Sequence, residues 1–105
     1  MPALITRRDD VLTCLYIITI ANCGKPIKIG ISTNPHSRLV QLQAYSPAKL
    51  AIATMRAFSR RSLARQAELL LHNRLKKYQI HGEWYDITAI DAWPFLQKIL
   101  QRYKK

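Results

Sequence analysis

The side chains of this sequence that could do chemistry are few and mostly cationic. Asp9 and Asp10 come early and the next acid is Glu68; between them stand Lys25, Lys28, Arg38, Lys49, Arg56, Arg60, Arg61 and Arg65, with no acid to oppose them. Uncompensated positive charge over that length draws a polyanion, and phosphate is the chemistry it suits. Arg61, Arg65, Glu68 and His72 recur at intervals of three and four, which sets them on one side of a helix. From there Arg61, Arg65 and His72, together with His36, could contact phosphate, while Glu68 could pair with Arg65 or His72. Cys14 and Cys23 have no metal-finger spacing and read as small apolar groups, with a pairing across the first hairpin left open.

Those side chains need elements to carry them. Thr13 to Ile20 is rich in β-branched and aromatic residues and 26–31 alternates strictly, so both are strands. Asn22 and Gly24 between them tolerate the positive φ of a hairpin loop, which makes the pair antiparallel. Ser32-Thr33-Asn34 before Pro35 is a helix start, and that helix is expected to reach about Tyr45. A third strand over 50–58 is expected to turn Ile52, Thr54 and Arg56 to one face. Ser59 is the expected cap of a long helix to about Tyr78, with Leu63, Ala67, Leu70, Leu71 and Tyr78 as its apolar stripe and Glu68 off that stripe. A short strand at 84–87 and a last helix over 91–103, capped by Asp91 and with Pro94 in its first turn, complete the chain, and 101–105 reads as a frayed tail. The class is α+β: a small antiparallel three-stranded sheet flanked by helices, in the order β-β-α-β-α-(β)-α. Leu15, Ile17, Ile29, Leu39, Leu42, Ile52, Leu63, Leu70, Leu71 and Trp84 are the expected core.

A length of 105 residues with 49% apolar content suits one domain over 1–105. The net charge of +11 favours nucleic acid, and DNA foremost, over a membrane, because no apolar run approaches the roughly 20 residues needed to span one. Residues 1–8 lack the apolar core of a signal peptide, which implies a cytoplasmic, reduced protein.

Leu15-Tyr16-Ile17-Ile18, a turn, Lys28-Ile29-Gly30-Ile31, Arg38, Glu68 and Gly82-Glu83-Trp84-Tyr85, in that order, resemble the GIY-YIG endonuclease family over about 15–86, in its K-I-G branch common in phage and bacteria. The resemblance implies a metal-dependent DNA endonuclease or nickase. In it Tyr16 positions or deprotonates the attacking water, Lys28 supplies the positive charge that a phenol with a pKa of about 10 needs, and Arg38 stabilises charge on the scissile phosphate. Glu68 holds Mg²⁺ or Mn²⁺, for which one carboxylate, phosphate oxygens and waters suffice. Roles for Glu83 and Trp84 stay open, with Trp84 read as a core anchor. The alternative is a non-catalytic module that binds nucleic acid or a protein with the same basic surface. Specificity would then come from the core itself, from a homodimer or from a protein partner.

Overall fold

A computed structural model describes residues 9–103. The expectation for 1–8, and that for the end of the 101–105 tail, therefore lie outside the described residues. The elements are β1 (Thr13–Ile20), β2 (Ile27–Ser32), α1 (Pro35–Gln43), β3 (Leu50–Phe58), α2 (Arg61–Arg74), a 3₁₀ turn over Lys76–Tyr78, β4 (Gln79–His81), β5 (Trp84–Tyr85) and α3 (Ala89–Gln101). The α+β class holds, but among the described residues the sheet has five strands in the order β3-β1-β2-β5-β4, not three, and every described pairing is antiparallel. β5 answers to the short strand expected at 84–87, ending already at Tyr85, whereas β4, three residues long, is too short for alternation to show in sequence. They are turned back on each other at Gly82, whose φ of +57° suits glycine.

The β1–β2 hairpin turns through Asn22 at φ +72° and Gly24 at φ +76°, as their residue types imply. On one face of the sheet Leu15, Ile17, Ile27 and Ile29 pack against α2 and α3 through Ala64, Ala67, Leu71, Leu75, Leu96 and Ile99. On the other, Tyr16, Ile18 and Leu50 pack with Leu39 and Leu42 of α1 and with Ile52 and Trp84. Of the expected core, Leu15, Ile17, Ile29 and Leu71 are buried, whereas Leu39, Leu42, Ile52, Leu63, Leu70 and Trp84 are only partly so.

Two corrections concern faces. Ile17 pairs with Thr54 but Ile18 pairs with Ile52, so a bulge at Ala53 resets the alternation of β3. Ile52 therefore joins Ile18 on the α1 face, away from Thr54 and Arg56. On α2 the fully buried line is Ala64, Ala67, Leu71 and Leu75, with Glu68 inside it. The small alanines, rather than Leu63 and Leu70, face the sheet and bring helix and strands close.

Helix starts differ as well. Asn34 caps α1 as expected, its side chain accepting from the Ser37 N–H at 3.1 Å. At α2 the cap position is Arg60, not Ser59, and a remote acid does the capping: Asp9 Oδ1 accepts from the Ser62 N–H at 2.7 Å and Oδ2 from its hydroxyl at 2.6 Å. Asp10 lies 3.4 Å from Arg60 beside it. The helix ends at Arg74 rather than near Tyr78 because the chain tightens into the 3₁₀ turn. Thr88, not Asp91, caps α3, accepting from the Asp91 N–H at 3.0 Å, which moves Pro94 out of the first turn and into the helix. Both cysteines are free.

Replacing the remote cap should be felt throughout the domain. Asp9→Ala should lower stability by about 1 kcal/mol, the usual worth of a helix cap, as read from the urea midpoint; an unchanged midpoint would contradict the capping role.

Candidate functional site

The site begins with a cross-strand pair. Tyr16 on β1 stands opposite Gly30 on β2, and a Cβ placed on Gly30 would lie 2.6 Å from Tyr16 Cζ and closer still to the phenol oxygen. Only glycine leaves room for the ring to lie across β2. The ring is 2% exposed, and Arg38, which projects from α1 and donates to Gln41 at 3.2 Å, stands near enough to act on its oxygen. Burial pushes the Tyr16 phenol above its ordinary pKa; the Arg38 hydrogen bond and charge pull it down, and Glu83 and Glu68 push it up again. Burial wins, so Tyr16 is a neutral phenol near neutral pH.

β5 pairs with β2 at Ile27 and Lys28, and the Ile29 N–H donates to the Glu83 carbonyl at 3.1 Å, so from Gly30 onward the outer edge of β2 is without a strand neighbour among the described residues. Here the side chains of α2 and of the β4–β5 turn meet. Glu68, 3% exposed, lies 3.6 Å from His72 Nε2 and 3.7 Å from Arg65 Nη1. His72 Nδ1 makes a short hydrogen bond with the Tyr85 hydroxyl. Glu83 receives Lys28 Nζ at 2.8 Å, and that ammonium also lies 5.8 Å from the Trp84 ring centre. One ligand atom from each of Glu68, His72 and Glu83 lies within 4.8 Å of the other two.

A model of the T5orf172 domain matches residues 13–103. The chain belongs to the T5orf172 domain family. Membership of the GIY-YIG family, expected from the two strand motifs, is thereby corrected: T5orf172 is a distinct family with a related fold. The motifs misled because an aromatic residue laid over a strand glycine, with an arginine helix behind it, is a packing solution that related folds can share. The family match also takes in α3, beyond the 15–86 span of that resemblance. T5orf172 domains are nuclease-like and DNA-binding, which makes a nucleic-acid-related role the supported class. No curated protein and no solved structure matches the chain. Among the described residues no helix is long and apolar enough to cross a membrane.

In this T5orf172 domain Arg38 acts electrostatically on Tyr16, and Glu68, Arg65 and His72 form a second group whose acid acts on the same phenol. Lys28 is close by but spends its charge on Glu83, so Arg38 is the cation beside the phenol, in place of the expected Lys28. His36 is exposed on α1 and Arg61 is exposed at the start of α2, and no described contact brings either to the cluster. Sequence reasoning left Glu83 without a role and passed over Tyr85. The available signal was scarcity: Glu83 is one of only six acids in a chain of net charge +11.

Burial pushes the Tyr85 phenol up too, with Glu83 and Glu68 adding to the effect. A raised folded pKa means that the folded protein keeps protons the unfolded chain releases. The stability tied to these phenols is thus intact below a pH of about 10 and is lost as pH rises through the folded values. In an alkaline absorbance titration, Tyr16→Phe and Tyr85→Phe should each remove part of the phenolate signal that develops above that pH, and Arg38→Ala should move the Tyr16 part higher. Phenols that all ionise at their ordinary value would contradict the burial described.

Proposed function

We propose that this T5orf172 domain hydrolyses phosphodiester bonds in DNA, with Tyr16, Arg38 and Glu68 around the reacting phosphate. What carries the reading is a buried phenol on which an exposed arginine and a buried carboxylate both act electrostatically, in a strongly basic chain. Buried ionisable groups clustered at one place are the usual mark of a reactive site.

Arg38 is free on its solvent side to grip a non-bridging phosphate oxygen, and its planar fork holds that oxygen as charge develops on it. Tyr16 Oη offers its lone pair to the attacking water. Burial keeps the phenol protonated, so it orients the water by accepting its hydrogen bond and acts as a base only after its own proton has passed to solvent, a loss that the Arg38 charge favours. Glu68 suits a divalent cation, since its carboxylate is buried with its two described partners beyond hydrogen-bond length. Mg²⁺ or Mn²⁺ held by Glu68 would polarise the phosphoryl group and stabilise the leaving 3′-oxygen. Arg65, with the cations of β3 and of the start of α2, would seat the backbone around that phosphate. The raised Tyr16 pKa favours a second reading, a module that binds DNA through the same groups and leaves the bond intact.

Nicking of supercoiled plasmid separates the two. With Mg²⁺ or Mn²⁺ the parent should nick, chelation should stop it, and Glu68→Gln, Tyr16→Phe and Arg38→Ala should each slow it by about 100-fold or more. Binding should weaken steeply with salt, each phosphate contact adding about 0.9 to the slope of log K against log[salt]. If duplex, branched and single-stranded DNA all survive both metals while parent and Glu68→Gln bind DNA alike, the binding module is the correct reading.

A further inference from the structure

Glu68 alone would make an oxygen-only cation site completed by water, but the structure places two more donors against it. His72 follows Glu68 by one helical turn and turns Nε2 toward it at 3.6 Å. Its other nitrogen is held by the Tyr85 hydroxyl. With Nδ1–H donating to Tyr85, the Nε2 lone pair is left facing the carboxylates, which is how a hydrogen-bonded neighbour commonly orients a metal-binding imidazole. Glu83 comes from a different element, the turn between β4 and β5, and reaches the same place. Ligands at about 2.0–2.2 Å from one ion lie at most about 4.4 Å from each other. Three ligands shared by one tetrahedral ion lie about 3.3–3.6 Å apart, and the three atoms here lie within 4.8 Å, so closure draws them in by at most about 1.5 Å, within the reach of side-chain rotation.

The fourth partner is Lys28. Its ammonium belongs to a residue 7% exposed, and Glu83, at 2.8 Å, is the acid it meets. Glu83 thus already has a countercharge, while Glu68, more deeply buried, has Arg65 as its cationic neighbour at 3.7 Å and His72 Nε2 at 3.6 Å. A dication drawn in by Glu68 would compete with Lys28 for Glu83.

We infer that Glu68, His72 and Glu83 form a three-ligand site for a first-row transition-metal dication, and that this metal displaces Lys28 from Glu83. The inference rests on the reading above that Glu68 holds the functional cation, and goes beyond it in ligand set and metal class. One imidazole nitrogen with two carboxylates favours first-row transition metals over Mg²⁺, which prefers oxygen and keeps its waters. Lys28 then guards the site when metal is scarce, neutralising the one carboxylate it can reach.

The test is calorimetric titration of the chain with MnCl₂, ZnCl₂ or MgCl₂ in the absence of DNA, with electron spin-echo spectroscopy of bound Mn²⁺ as a second readout. Mn²⁺ and Zn²⁺ should bind one per chain and more tightly than Mg²⁺, and bound Mn²⁺ should show a coupled imidazole nitrogen. His72→Gln should abolish that nitrogen signal and weaken Mn²⁺ and Zn²⁺ far more than Mg²⁺. Glu83→Gln should weaken all three, and Lys28→Met, which removes the competing cation, should tighten them. Equal affinity for Mn²⁺ and Mg²⁺, no nitrogen coupling, and no effect of His72→Gln or Glu83→Gln would overturn the inference yet leave Glu68 as sole ligand, with the hydrolysis reading intact. Weaker binding in Lys28→Met would overturn the displacement. If no dication binds the parent, both readings fall.

Discussion

A carboxylate held inside a basic protein is the constraint around which the domain is arranged. Removing such an ion from water costs several kcal/mol even after relaxation, and Glu68 recovers little of it from partners at 3.6 and 3.7 Å. An apolar residue would pack in the same line as Ala64, Ala67, Leu71 and Leu75 at no such cost. The helix that carries Glu68 is nonetheless pressed against the sheet by those small side chains and fastened at its start by Asp9. His72 is fastened by Tyr85, and Tyr85 is placed by the pairing of β5 with β2. Much of the fold thus serves to keep one acid in one place.

The opposite side of the site obeys a steric rule rather than an electrostatic one. Tyr16 must lie flat over Gly30, so the β1–β2 register cannot slip by a residue without driving the phenol into a side chain. With the ring fixed, the cap at Asn34 sets the helix that brings Arg38 toward it. Phenol and carboxylate come from opposite faces of the sheet, and at the edge where β2 runs on past β5 the Glu68 charge reaches the Tyr16 phenol. Short strands at that edge are therefore part of the site: a longer β5 would cover it.

How much of this was legible in the sequence varies with the physics of each element. Long strands declare themselves by alternation, and Asn34-Pro35 declares a helix start, so β1, β2, β3 and α1 were readable. β5 falls at the start of the short strand expected at 84–87, whereas β4 was not readable, because three residues carry no period. The faces of β3 were misread because a bulge at Ala53 leaves no mark in composition. Glu68 was expected on an exposed side since the eye counts leucines; the helix instead buries its alanines, and a charge falls among them. Asp9 as a cap of α2 joins residues more than fifty positions apart, a relation set by tertiary packing alone. At the site, Tyr16, Arg38 and Glu68 were legible as residue types, while Glu83, Tyr85 and the diversion of Lys28 depend on the β4–β5 turn.

The central claim is that Tyr16, Arg38 and Glu68 surround one phosphate of bound DNA. A crystal structure of the Glu68→Gln variant with a short duplex tests it most directly, because that variant should retain DNA without cutting it. The account predicts a backbone phosphate at the free edge of β2, within hydrogen-bond distance of both the Arg38 guanidinium and the Tyr16 hydroxyl. A duplex bound through α3 or the outer surface of β3, with no phosphate near Arg38, would contradict it.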